Sequence, residues 1–196
     1  MSKFTRGNGL LEGFLAKKRA NKANSLIPQN FRNGKILDIG CGSYPYFLIT
    51  TKFNEKYGID PSVKLSEITD NKFNLQTINI INTRLPFNNN YFETVTMLAV
   101  FEHIDNYKLI NVLKEIKRVL KDGGLFIITT PAPWSDKLLH QMAKIGLISS
   151  EEIHEHKTHH SRLKIKSMLL DAGFKKEKIK SGYFEVYMNM WFTAIK

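Results

Sequence analysis

The sequence predicts an α/β fold built on a mostly parallel sheet, and three observations carry that expectation. Short apolar runs of strand character alternate along the chain with segments of helical period. The first of these runs, ending at Ile39, breaks at Gly40 and Gly42 into a polar turn. A second run ends on an acid, Asp60, which lies 22 residues after Asp38 at the end of the first.

Taken in order, the first nine residues are polar. Leu10, Leu11, Phe14 and Leu15 then fall at helical spacing, with Lys17, Lys18, Arg19 and Lys22 behind them. This predicts an amphipathic helix ending near Pro28, and residues 1–30 are read as a segment ahead of the main domain, 31–196. The helix is expected to pack at the sheet edge. A lid over a ligand, or a basic contact with a membrane surface or an acidic acceptor, are its other readings. The first strand is expected over Lys35–Ile39, a first helix over Tyr46–Asn54, a second strand over Lys56–Asp60 and a second helix over Val63–Thr69. A third strand falls within Phe73–Ile81 and a fourth over Thr94–Ala99. Leu109, Ile110, Val112, Leu113, Ile116, Val119 and Leu120 give Asn106–Leu120 a wide apolar helical face. Asp122-Gly123-Gly124 is expected to stop that helix, ahead of a buried strand over Leu125–Thr130. Ser161 is a candidate cap for a helix starting beside it. Two strands with an aromatic bend close the chain, with Tyr183, Phe184, Tyr187 and Trp191 expected in core and edge packing.

The glycine turn carries the chemistry. Without a Cβ, Gly40 and Gly42 let main-chain N–H groups approach an anionic or polar ligand. An acid at the end of the second strand, at this offset, suits the hydroxyls of a ribose. Together they predict an adenosine-type cofactor.

Composition bounds the alternatives. The 196 residues suit one domain with a full core, and apolar residues make up 42%. No apolar run reaches the ~18 residues a membrane span needs, and Glu12 and Gly13 interrupt the Leu10–Ala16 run, so no signal peptide is expected. A single cysteine, Cys41, forms no internal disulfide and fits a reducing cytoplasm. It is expected as a small filler in the glycine loop rather than a nucleophile. The net charge of +11 raises a nucleic-acid or anionic-membrane partner. Dispersed lysines favour solvated helix faces instead. Only 17–22 and 175–180 cluster, and neither interleaves aromatics as a nucleic-acid platform does.

Five ordered segments resemble one family. Asp38-x-Gly40-x-Gly42, with the acid before the first glycine, is similar to the first motif of class I S-adenosylmethionine-dependent methyltransferases and differs from a nicotinamide site. Tyr44 stands where that family often has a third glycine. Leu85-Pro-Phe through Val95, Val100-Phe-Glu-His-Ile104, Glu115 through Gly124, and Asp171-Ala-Gly-Phe174 also resemble the branch that includes small-molecule and polysaccharide-tailoring enzymes. The resemblance spans about residues 33–196. It implies a Rossmann-like three-layer sandwich whose seven-stranded, mostly parallel sheet has an antiparallel last strand. It also implies S-adenosylmethionine as cofactor and a small-molecule, glycan or lipid-intermediate acceptor.

Carried over by position, Asp38 would lie near the methionine moiety, with Gly40, Cys41 and Gly42 forming the loop beside it. Asp60, followed by Pro61, would accept the ribose hydroxyls through its two carboxylate oxygens. Asn79 stands where the family often has an acid for the adenine amino group, and Ile80 would pack on the ring. Ala99 would line the sulfonium and methyl. His103 follows the fourth strand where acceptor and cofactor meet, and an imidazole there could take the proton of a hydroxyl acceptor. A loop-capping role is its other reading, and Glu102 is read as a positioning carboxylate. His156, in the run His154, His156, His159 and His160, stands 17 residues before Gly173, a spacing found in related enzymes. It is read with His103 as a candidate catalytic, substrate-pocket histidine, with a loop role or metal binding as its other readings and no metal site expected. Methylation of RNA, DNA or protein, and a non-catalytic cofactor-binding module, are the rival functions.

Overall fold

A computed structural model describes residues 11–63, 73–81, 84–135, 141 and 160–196. Its strands are β1 (Lys35–Ile39), β2 (Glu55–Ile59), β3 (Asn74–Gln76), β4 (Phe92–Leu98), β5 (Leu120–Pro131), β6 (Ile179–Phe184) and β7 (Asn189–Ile195). They form one sheet in the order β3-β2-β1-β4-β5-β7-β6. All pairings from β3 to β5 are parallel, and β7 inserts antiparallel between β5 and β6. The expected seven-stranded sheet with an antiparallel last strand is what the chain forms.

Alternate residues of each central strand enter different cores, because successive side chains leave a strand on opposite faces. Leu37, Ile39, Phe126 and Ile128 pack with helices α3 (Asn106–Val119) and α4 (Arg162–Asp171). Ile36, Leu125 and Ile127 pack on the other face with helices α1 (Glu12–Leu26) and α2 (Tyr46–Thr50). The sheet is thereby covered on both sides, the three-layer arrangement.

Several boundaries differ from expectation. In α1 the buried residues are Ala20 and Ala23, with Ile27 following, whereas Phe14 is exposed. Small side chains let the helix lie close on Ile36 and Ile127, so the bulky stripe nearer the N-terminus is not the packing face. Helix α2 stops at Thr50, four residues earlier than Asn54. Helix α3 ends at Val119, where Leu120 turns extended, and Asp122-Gly123-Gly124 lies inside β5. There the register shifts against β4 and Gly123 takes φ +77°. Gly123 N–H donates to the Lys196 carbonyl at 3.0 Å, so the glycines make a bulge against the chain end rather than a helix stop. The helix expected over Val63–Thr69 lies outside the described residues after Val63.

Two of the recognised segments brace each other. Glu115 Oε1 accepts the Leu85 N–H at 2.8 Å. Arg118 donates to the Leu85 and Phe87 carbonyls at 3.0 and 2.8 Å, and to Glu115. One helix turn thus fixes the loop that feeds β4. Asp171-Ala-Gly-Phe174 is a helix end. Gly173 at φ +91° follows α4, its N–H donates to the Leu170 carbonyl, and Phe174 N–H donates to that of Leu169. Ser161 caps the start of α4, accepting the Lys164 N–H at 3.2 Å.

Candidate active site

The strand order reverses at β1, which has β2 on one side and β4 on the other, so their outgoing connections cross to opposite faces. A crevice opens at the carboxyl ends of strands at such a point. Here it is a cavity of about 270 Å³. Ten residues singled out by sequence line it: Asp38, Gly40, Cys41, Gly42, Asp60, Pro61, Asn79, Ile80, Ala99 and His103. His156 lies outside the described residues, as do His154 and His159.

The glycine loop is held by strand β2 and its acid. Gly40 and Gly42 take φ +77° and +73°. The N–H groups of Gly40 and Cys41 both donate to the Ile59 carbonyl, at 2.8 and 3.2 Å. A Cβ on Gly40 would stand 2.2 Å from Val100 Cγ2, so this glycine is required by packing as well as by φ. Asp60 is buried, and its Oδ2 accepts the Gly42 N–H at 3.1 Å. Its Oδ1 accepts the N–H and hydroxyl of Ser62 at 2.7 and 2.5 Å. Cys41 is buried behind the loop, its sulfur 2.9 Å from where a Cβ on Gly58 would stand.

Asp38 sits deeper, 3% exposed, and accepts the Thr96 hydroxyl of neighbouring β4 at 2.7 Å. Burial pushes its carboxyl up from 3.8 to about 7; the Thr96 bond opposes the shift and the nearby Asp60 charge adds to it. Glu102, just after β4, is also buried and accepts the Thr130 hydroxyl at 3.0 Å. Burial raises its carboxyl, while the charges of His103 and Arg19 pull it down. It ties the segment after β4 to β5 and does not line the cavity.

The end of the cavity where sequence placed Asn79 and Ile80 differs in detail from expectation. Asn79 Oδ1 already accepts the Ile81 N–H at 3.0 Å, which turns the chain there and leaves its second lone pair for a ligand. Ile80 is buried, and Ile78 and Ile81 join it along the cavity wall.

Other features escaped the sequence. Ala99 is left-handed at φ +55°, its N–H donating to the Thr129 carbonyl at 2.9 Å. A non-glycine residue in that region stores strain where β4 meets the cavity. Ala16 and Arg19 of α1 also line the cavity, so the helix packs on the sheet and also lies over the crevice, the lid-like placement that was among its readings from sequence. Tyr44, in place of a third glycine, stands at the rim. His160 is buried with its ring edge-on to Phe101, 5.7 Å between centroids. Among the described residues no three His, Cys, Asp or Glu side chains gather as a metal site, and no helix is long and apolar enough to cross a membrane.

Residues 11–179 match the methyltransferase domain family. An uncharacterized protein of Methanocaldococcus jannaschii is 33% identical over 163 residues, covering 82% of this chain; the chain spans 64% of that relative's length. The demethylmenaquinone methyltransferase of Staphylococcus saprophyticus is 25% identical over 177 residues, covering 78% of this chain and 75% of its own. In fold, the chain is similar to a SAM-dependent methyltransferase of Archaeoglobus fulgidus, with TM-score 0.68, 18% identity and 93% of each chain covered. With the family match running from α1 into the start of β6, the chain belongs to the class I S-adenosylmethionine-dependent methyltransferases.

Proposed function

We propose that this chain transfers a methyl group from S-adenosylmethionine to a small-molecule, glycan or lipid-intermediate acceptor, with a hydroxyl as the receiving group. The observation that carries this reading is the meeting of Asp38, the Gly40–Gly42 loop, Asp60 and Ala99 in one crevice at the strand reversal. The donor set fits the cofactor. Asp60 Oδ2 keeps a lone pair beside its Gly42 bond for a ribose hydroxyl, Oδ1 becoming available where the Ser62 hydroxyl turns away, and Ile78, Ile80 and Ile81 offer an apolar wall to a flat base. Bound there, the cofactor would supply an electrophilic methyl on a positively charged sulfur. The demethylmenaquinone acceptor in the name of the Staphylococcus relative supports a lipid-type or small acceptor.

The chain's own residues then have separable tasks. Asp60 and the glycine loop bind and orient. Ala16 and Arg19 of α1 cover the crevice and exclude water, which aligns reactants and strengthens electrostatic contacts inside. His103, half-buried on the cavity wall, takes the hydroxyl proton on a ring nitrogen. Glu102 beside it contributes a buried carboxylate whose charge interacts with that ring.

The test is calorimetric titration and thermal shift with S-adenosylmethionine, S-adenosylhomocysteine and NADH, on wild type and Asp60→Asn. Ligand at a hundred times its dissociation constant should stabilise a binder by about 2.7 kcal/mol. The expected result is binding of the two sulfur nucleosides, weakened in the variant. Binding of NADH alone, or of none of the three, overturns the reading.

A further inference from the structure

The turn between β6 and β7 is built from three consecutive non-glycine residues at positive φ: Glu185 at +52°, Val186 at +52° and Tyr187 at +65°. A β-branched residue in this region is an outlier, and strained backbone marks places where display matters more than ease of folding. What this turn displays is apolar. Val186 is 86% exposed and Tyr187 67%. The presentation is braced from the segment after β5: Ala132 N–H and the Ser135 hydroxyl donate to the Met188 carbonyl, at 2.8 and 3.0 Å, and Trp134 Nε1 donates to the Tyr187 carbonyl at 3.1 Å. Trp134 is itself 55% exposed, and the Tyr183 and Tyr187 rings lie 5.6 Å apart.

Basic side chains ring this patch. Arg162 stands 5.4 Å over the Tyr183 ring. Lys18 and Arg19 of α1 are near enough for their charges to act on Glu185. Lys18 also lies 5.2 Å over the exposed Phe14 ring, so α1 continues the same surface. Because Pro131 pairs with Asn189, the turn stands at the carboxyl edge of the sheet, the edge that carries the crevice.

We propose that this surface docks the protein on an anionic lipid bilayer, with Val186, Tyr187, Trp134 and Phe14 entering the interface and Lys18 and Arg162 meeting the head groups. Tryptophan and tyrosine settle at the headgroup level, and juxtaposed lysines add attraction to anionic lipid. The net charge of +11 has the sign this requires. Single-stranded nucleic acid is less well served. Its bases stack on flat rings in a groove, whereas the most exposed residue here is an aliphatic tip. The inference does not depend on methyl transfer, since docking is a property of the outer surface.

Flotation of the full chain with vesicles tests it, using phosphatidylcholine alone and phosphatidylcholine with phosphatidylglycerol in equal parts. The comparison variant is Val186→Asn with Tyr187→Asn. Asparagine tolerates positive φ better than valine or tyrosine, so this variant keeps the turn while removing its apolar character. Wild type is expected to float with anionic vesicles and not with neutral ones. The asparagine pair, with an unchanged or higher melting temperature, is expected to lose at least about tenfold in vesicle affinity. Lys18→Gln with Arg162→Gln should lose roughly fivefold per charge removed. Wild type that stays at the bottom of the gradient, that floats equally with neutral vesicles, or that floats no better than the asparagine pair overturns the proposal. So does retention of single-stranded RNA on a filter without flotation.

Discussion

Asp60 holds the glycine loop as well as facing the crevice: its Oδ2 accepts the Gly42 N–H at 3.1 Å, 18 residues away in sequence. Its other oxygen takes two bonds from Ser62. Removing the carboxylate therefore has two consequences that separate by variant. Asp60→Ala strands the Gly42 and Ser62 donors and is expected to lower stability by about 2 kcal/mol in urea denaturation. Asp60→Asn keeps one acceptor oxygen, so its loss should be about 1 kcal/mol or less while nucleoside binding still falls. No loss in Asp60→Ala would show that the loop does not depend on this contact.

Asp38 makes stability depend on pH in a direction opposite to an ion-paired acid. Its folded value, about 7, lies above the ordinary 3.8 because burial disfavours the charge. Between those values the folded protein holds a proton that the unfolded chain releases. The contribution of this group to stability therefore falls as pH rises from about 4 to about 7, by at most roughly 1 kcal/mol per pH unit. Asp38→Asn can still accept from Thr96 and does not ionise. Its stability relative to wild type is expected to climb through that window in denaturation curves taken at several pH values. A constant difference would mean Asp38 titrates at an ordinary value.

The two loop glycines differ in what they forbid. Gly40→Ala meets both a positive φ and Val100 Cγ2 at 2.2 Å, and should cost about 3 kcal/mol. Gly42→Ala meets only the φ, since the nearest atom to its Cβ is 3.9 Å away, and should cost about 1 kcal/mol. Val100→Ala added to Gly40→Ala should restore part of the loss, because it removes the clash and leaves the strain. Chemical denaturation of the four chains reads all of this.

His103 is separable from cofactor binding. With a hydroxyl acceptor, His103→Ala should lower kcat/KM by roughly 10²–10⁴-fold. Affinity for S-adenosylhomocysteine should be unchanged. A variant with wild-type turnover on such an acceptor would remove His103 as the base.

Some of this architecture is local, and local patterns survive in sequence. The run ending at Ile39, the wide apolar face of α3 and the cap at Ser161 each depend on residues within a few turns of one another. The 22-residue offset from Asp38 to Asp60 is likewise set by one strand–helix–strand unit, so the pair is legible before any packing is known. Helix α1 was legible as a helix but not in its face: Ala20 and Ala23 carry little hydrophobic signal, and their value as close-packing residues depends on Ile36 and Ile127 of the sheet. Tyr183 and Tyr187, expected in core and edge packing, are exposed: Tyr183 lies on the edge strand β6, and the positive-φ turn carries Tyr187 beyond it. Asn79, expected as an acceptor, keeps one lone pair of Oδ1 for a ligand, because the turn places Ile81 N–H on the other.

What the sequence alone determined is the order of the elements and which residues stand at strand ends, since period and glycine breaks are properties of neighbours along the chain. Only the tertiary structure decided that Thr96, 58 residues from Asp38, would hold that carboxylate, that Ala99 would be left-handed, and that Arg19 would close over the crevice. Each of these depends on parallel strand register or on a helix docking across the sheet. Such pairings are chosen by burial summed over the whole core, which no short stretch of sequence contains.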